Sequence, residues 1–196
     1  MNVDLAAPSR RLKLIVLDRD GVINFDNEEY VKSPEEWVPL PGSLEAIAQL
    51  NSGGYHVVIA TNQSGIGRGL FDAQILIAIH AKMHQMLGRV GGRIDAVFFC
   101  PHTERSACDC RKPKPGMLRE IAQRFRIELD DVPCIGDSLR DLQAASAVNA
   151  LPILVRTGKG EETLKNGTLP PRTQVFDSLA DFANALLAEL PIKQKT

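Results

Sequence analysis

Short apolar runs recur along this chain, and nearly all of them end in polar, chemically capable residues. They are Leu12–Leu17 (LKLIVL), Tyr55–Ala60 (YHVVIA), Ile94–Phe99 (IDAVFF), Val132–Ile135 (VPCI) and Leu151–Val155 (LPILV). A continuous apolar run this short is the mark of a strand buried on both faces. Helical stretches alternate with the runs. One opens at Pro41-Gly42-Ser43 and runs to about Asn51, with Ser43 as its expected cap. A second spans about Asp72 to Leu87, with Asp72 as cap, and a third begins at Pro115 (PGMLREIAQRF), where proline is tolerated in the first turn. Leu139–Ala147 is a fourth, and Thr173–Leu190 reads as a last short strand and helix. Strands separated by helices predict an α/β fold, a mostly parallel sheet with helices on both faces.

The 196 residues suffice for one domain with a real core, and neither a repeat nor a linker divides them, so residues 1–196 are expected to form a single domain. Basic and acidic residues nearly balance, 23 against 24. That balance argues against nucleic acid as a partner, because a phosphate backbone demands an excess of Lys and Arg. No apolar run is long enough to cross a membrane, and Met1–Arg11 has no signal-peptide core, so a cytoplasmic protein is expected.

In an open parallel sheet, ligands bind just beyond the carboxyl ends of the strands. Four of these ends carry the polar chemistry here: Asp18 and Asp20; Thr61 and Asn62; the cysteines with Arg111 and Lys112; and Asp137. Two common nucleotide sites fail on sequence. No G-x-G-x-x-G follows the first run, and no P-loop occurs, the GKG at Gly158–Gly160 lacking its hydroxyl residue and spacing.

Asp18-Arg19-Asp20-Gly21 follows the first strand directly. Residues two apart on an extended chain point the same way, so both carboxylates can face one substrate, one attacking phosphorus and the other handling protons. Thr61 and the neighbouring amides can hold a phosphoryl oxygen, and Lys112 can neutralise its charge. Asp137, in Gly136-Asp137-Ser138-Leu139-Arg140-Asp141, is placed as a hard oxygen ligand for magnesium. Asp141 either supports the site or caps the following helix. Arg68 either reaches an anionic substrate or ties down a loop. His80 and His84 stand four apart on a helix, but without the acidic partner of a metalloprotease motif.

Cys100-Pro101-His102 and Cys108-Asp109-Cys110 supply three thiolates and an imidazole, a complete tetrahedral zinc set. With four protein ligands such a site is closed, so its metal is structural. Cys134 lies inside the fourth strand and reads as a core thiol.

In order and position, D-x-D-G, a strand-end Thr, a Lys and G-D-x-x-x-D resemble the four motifs of the haloacid dehalogenase (HAD) superfamily from Leu14 to about Gly158. The resemblance implies a two-step phosphoryl transfer. Asp18 would be the nucleophile, Asp20 the acid and then the base, with Thr61 and Lys112 gripping the phosphoryl group. Magnesium would be held by Asp18, the backbone carbonyl of Asp20, and Asp137. With T-N-Q-S-G-I and the run Cys110-Arg111-Lys112-Pro113 to Met117, the cysteine loop resembles the D-glycero-D-manno-heptose 1,7-bisphosphate 7-phosphatases. This subgroup also includes histidinol-phosphate phosphatases. By that match the loop carries zinc, Arg111 recognises substrate, and Asn62, Gln63 and Ser64 lie in the substrate-contacting segment.

Only about twenty residues separate Gly21 from the first helix, too few for a cap domain. The site is therefore expected to be open, walled by a flap (about 22–40) and the zinc loop (about 100–110). Asp26 and Tyr30 in the flap are candidate substrate contacts, or Tyr30 and Trp37 simply pack it down. Two departures bear on specificity, including the anomer at C1. Ser138 stands where members often carry lysine, and the flap from Asp26 to Tyr30 is one residue longer than in some. The expected substrate is a small phosphorylated sugar, in a pathway to lipopolysaccharide or a related glycan, and the expected state a monomer. Histidinol phosphate is the alternative substrate. A catalytically silent zinc-stabilised binding module is the alternative of another class, and the intact set of motif residues argues against it.

Overall fold

The computed structural model describes residues 12–27 and 29–188. Met1–Arg11, Glu28 of the flap, and Glu189–Leu190 at the end of the expected last helix lie outside the described residues. The elements follow one another as β1 (Leu14–Leu17), α1 (Ser43–Ser52), β2 (His56–Asn62), α2 (Ser64–Gly67), α3 (Ala73–Arg89), β3 (Ala96–Cys100), α4 (Gly116–Phe125), β4 (Pro133–Gly136), α5 (Leu139–Ser146), β5 (Leu151–Val155), α6 (Gly160–Asn166), β6 (Gln174–Phe176) and α7 (Leu179–Ala188).

The six strands form one sheet in the order β3-β2-β1-β4-β5-β6, and every pairing is parallel. The expected mostly parallel sheet is thus wholly parallel. Alternation along each strand divides the core in two. Ile15, Leu17, Val57 and Ile59 pack with Ile47, Leu50, Ile79, Met83, Leu87 and Phe182 on the face covered by α1, α3 and α7. Leu14, Val16, Val58 and Ala60 pack with Met117, Leu118, Ile121, Ala144 and Ala145 on the face covered by α4 and α5. Strands buried on both sides need apolar residues at every position, which is why their sequences show no alternation. Helix α3 buries Leu76, Ile79, Met83 and Leu87, one stripe at helical spacing.

Capping fits expectation in one helix and not in another. The Asp72 side chain accepts from the Ile75 N–H and starts α3. Ser43, by contrast, is not the cap of α1. That place is held by Gly42 in a left-handed conformation. The Ser43 hydroxyl sits near two backbone oxygens, Ile23 O at 2.6 Å and Leu40 O at 2.8 Å, and so fastens the flap to the helix. Two short elements escape sequence patterning altogether. Helix α2 is only SGIG, and α6 (GEETLKN) has a single large apolar residue, Leu164, which is exposed, and buries only its first glycine.

Chain order reverses between β1 and β4, and this switch point lies at the middle of the sheet. Asp18 leaves β1 with its N–H bonded to Ile135 O of β4 at 2.8 Å. Two strand ends that each deliver an aspartate therefore lie side by side. No helix among the described residues is long and apolar enough to cross a membrane.

Candidate active site

A cavity of about 140 Å³ opens at the carboxyl ends of the strands. It is lined from the strand ends by Asp18, Asp20, Thr61 and Asn62, and from the flap by Asp26 and Tyr30. Gln63, Ser64, Glu104, Arg111, Arg140 and Lys159 complete most of its wall. Stretches remote in sequence thus meet at one place, as the strand-end argument requires.

Oxygens of Asp18, Asp137 and Asp141 come within 4.8 Å of one another, and all three residues are buried. Lys112 is the counter-charge from β3's loop. Its Nζ lies 3.0 Å from Asp18 Oδ2 and 2.6 Å from Asp141 Oδ1, and donates to Ala60 O at 2.7 Å. Burial and the negative neighbours still dominate two of the carboxyls. Burial, with the charges of Asp141 and Asp20, pushes Asp18 up to about 6 against the pull of Lys112. Burial, with Asp141 and Asp18, pushes Asp137 up to about 8. Clustered buried carboxylates short of positive charge are the donor set a hard divalent cation takes. Asp141 resolves its two readings by doing both. One oxygen meets Lys112, while the other accepts from the Ser138 N–H (3.0 Å) and from the Ser138 hydroxyl.

Glycine makes room for Asp137. A Cβ on Gly21 would stand 2.0 Å from Asp137 Oδ2, and one on Gly158 would stand 2.3 Å from it. Both glycines have positive φ. The carboxylate is gripped between two backbone turns, and its Oδ2 accepts from the Lys159 N–H at 2.9 Å.

The Asp20 carboxylate sits in a cage. Arg19 NH2 reaches both oxygens, at 2.8 and 2.9 Å, Asn24 Nδ2 donates at 2.9 Å and Gln63 Nε2 at 2.9 Å. Burial acts to raise this carboxyl, but the Arg19 charge and the hydrogen bonds outweigh it and hold it below the usual carboxylate range. Gln63 Nε2 also lies 3.0 Å from Thr61 Oγ1. Asn62 is committed elsewhere, its amide exchanging two hydrogen bonds of 3.1 Å with the Lys112 backbone. Gln63 and Asn62 border the cavity, while their side chains hold Asp20, Thr61 and Lys112 in place. Ser64 lines the cavity as the first residue of α2.

The two walls differ in how they are held. Across the flap, Asn24 bridges to Pro39, Phe25 N–H donates to Val38 O, and Trp37 is fully buried. Lys82 of α3 donates to Pro34 O at 2.7 Å and Trp37 O at 2.8 Å. Trp37 is a packing residue; Tyr30, at φ 71, lines the cavity instead. Asp26 lines the cavity with one carboxylate oxygen ion-paired to Lys159 at 2.8 Å.

In the opposite loop Cys100, His102, Cys108 and Cys110 place their ligand atoms within 4.8 Å of one another. Cys100 Sγ lies 3.2 Å from Cys110 Sγ, 3.8 Å from Cys108 Sγ and 3.5 Å from His102 Nδ1. Zinc–ligand bonds of about 2.3 and 2.1 Å put tetrahedral edges at roughly 3.5 to 3.8 Å, so the four donors fit such an ion. All four cysteines of the chain are free of disulfides. Arg111 leaves this loop toward the cavity, donating to His102 O and paired with Glu104, which also pairs with Arg68 at 2.6 Å. Arg68 is thus a loop tie.

Comparison with known proteins agrees with this geometry. Residues 109–182 match the family described as HAD-hydrolase-like, and residues 13–141 that described as polynucleotide kinase 3 phosphatase. The D-glycero-beta-D-manno-heptose-1,7-bisphosphate 7-phosphatase of Bordetella bronchiseptica is 56% identical over 178 residues, 91% of this chain and 99% of that protein. The chain belongs to this family of HAD-type phosphatases. The Neisseria meningitidis serogroup A protein of the same name is 52% identical over 180 residues, 91% of this chain and 96% of its own. A crystal structure of the D,D-heptose 1,7-bisphosphate phosphatase from B. bronchiseptica, complexed with magnesium and phosphate, matches with a TM-score of 0.90 at 55% identity. It covers 91% of this chain and 100% of that one.

Three charged residues of this phosphatase's cavity went unread in the sequence: Glu104, Arg140 and Lys159. Lys159 had a signal, the Gly158-Lys159-Gly160 tripeptide after β5, which fails as a P-loop but turns the chain onto Asp137. Arg140 lies inside the Asp137–Asp141 motif. Nothing local marks Glu104.

Proposed function

We propose that this enzyme removes the 7-phosphate of D-glycero-β-D-manno-heptose 1,7-bisphosphate through an aspartyl-phosphate. One observation carries the chemistry: Asp18, which lines the cavity at the strand ends, is clustered with Asp137 and Asp141, and Lys112 pairs with Asp18 and Asp141. The substrate follows from relatives more than half identical over nine-tenths of the chain.

Asp18 would attack phosphorus, a carboxylate nucleophile that splits one hard displacement into two easier ones. Lys112 and Thr61 would hold the phosphoryl oxygens. Magnesium, held by Asp18, the Asp20 carbonyl and Asp137, would neutralise charge that develops on the transferred group. Asp20 would protonate the leaving oxygen and then activate water. Its cage favours the ionised form that the second step needs, so the first step requires Arg19 or Gln63 to yield part of its hold. We assign zinc, in a structural role, to Cys100, His102, Cys108 and Cys110, where it would fix the wall that presents Arg111. One chain supplies every residue named, so a monomer suffices, and four unpaired cysteines suit a reducing cytoplasm.

The test is phosphate release, with magnesium, from the α and β anomers of the bisphosphate and from histidinol phosphate. Preference for the β anomer, with phosphate lost from C7 and Asp18→Asn inactive, supports the reading. Equal weak release from all three, or activity that survives Asp18→Asn, overturns it.

A further inference from the structure

Cations around the cavity are almost all spoken for. Arg19 is locked on Asp20, and Lys112 on Asp18 and Asp141. Arg111 is paired with Glu104, and Lys159 with Asp26. Arg140 is the exception. Among the described residues no carboxylate oxygen lies within ion-pair distance of its guanidinium, and its Nε is buried without a hydrogen-bond partner. An unsatisfied buried donor costs free energy unless a ligand completes it.

Its position is specific. Arg140 lies in the first turn of α5, two residues after the Ser138 cap, where the charges of Asp141, Asp18, Asp137 and Asp26 act on it without a direct ion pair. With Lys159 it lines both the catalytic cavity and an adjoining cleft of about 350 Å³. Ser138, Leu139, Glu162, Thr163 and Asn166 bound that cleft on its remaining sides. A guanidinium on this border meets a group that extends outward from a substrate whose reacting end sits on Asp18. Planar, always charged and carrying a fork of donors, it suits a phosphate better than a hydroxyl.

We infer that Arg140 anchors the second, non-reacting phosphate of the substrate. This rests on the bisphosphate reading above. It gives the enzyme two anion subsites of different kinds. One is the site at Asp18, backed by Lys112, where charge develops during reaction. The other is an arginine that binds ground state and transition state alike and so acts on KM.

The experiment compares kcat/KM for heptose 1,7-bisphosphate with that for heptose 7-phosphate, in the wild type and in Arg140→Gln, Arg140→Met and Arg140→Lys. The expected result is a fall of about ten- to a hundredfold in the bisphosphate-to-monophosphate ratio for Gln, carried by KM. Lysine, which keeps the charge without the fork, should recover part of it. Methionine, which keeps the apolar stem, serves if the Gln variant does not fold. A ratio that stays within twofold of wild type overturns the inference, and so does a parallel loss on both substrates, which marks a residue that only balances the acidic cluster. A wild type with no preference for the bisphosphate overturns the substrate reading as well; a preference that survives in Arg140→Gln overturns this inference alone.

Discussion

At the scale of single residues, the site is a problem in charge balance. Lys112 touches two buried carboxylates and a carbonyl, so all three of its N–H groups have partners. Removing the charge while keeping the stem, as in Lys112→Met, leaves Asp18 and Asp141 facing each other in low dielectric. The expected cost is about 3–5 kcal/mol of stability, seen as a lower urea midpoint, with a drop in kcat of about 10²–10³-fold. His80 supplies a pH effect of separate origin. Its Nε2 lies 3.4 Å from Arg19 NH1, and burial, then the charges of Arg19 and His84, push its pKa down to about 4. An unfolded histidine titrates near 6.5. Its neutral form is the one the fold accepts, so its contribution is complete above pH 6.5 and declines as pH falls toward 4. His80→Gln should therefore lose about 1–2 kcal/mol less than wild type between pH 7 and pH 5, in urea unfolding at each pH.

At the scale of elements, the loop of Cys100, His102, Cys108 and Cys110 is a wall with no secondary structure of its own. It runs from the end of β3 to the start of α4, and four side chains close on one another inside it. If zinc holds it, Cys108→Ser or a strong chelator should release about one equivalent of metal. The Tm should then fall by at least about 5 °C, the size of a loss of one to two kcal/mol in a chain this long, with activity falling as Arg111 loses its support. Elements also set what could be read in advance. The strands and long helices were legible because burial on one or two faces leaves a period in the residues. Asp72 was legible as a cap because its carboxylate has one local use. Ser43 was misread because a hydroxyl at a helix start has tertiary partners too, here Ile23 O in the flap. The motif aspartates, Thr61 and Lys112 announce themselves by type and spacing at strand ends. Arg140, Glu104 and Lys159 do not, because what distinguishes them is which charges stand opposite, and that exists only after folding.

At the scale of the whole molecule, one sheet serves two cores, and the ends of β1 and β4 that deliver Asp18 and Asp137 are held side by side by strands both cores share. Ile121 of α4 is fully buried in the smaller one. Ile121→Ala should cost about 2–5 kcal/mol, with near- and far-ultraviolet circular dichroism still changing in a single transition, since the shared strands couple the faces. The strand order has another consequence, one of timing. β1 is made first and sits at the centre, paired to β2 on one side and β4 on the other. Its first partner arrives early, but its second is encoded far downstream. At ordinary rates of synthesis the interval is roughly ten seconds, during which an apolar strand presents an unpaired edge. The speed at which the ribosome traverses the middle of the message is therefore itself a determinant of how much of this enzyme escapes aggregation.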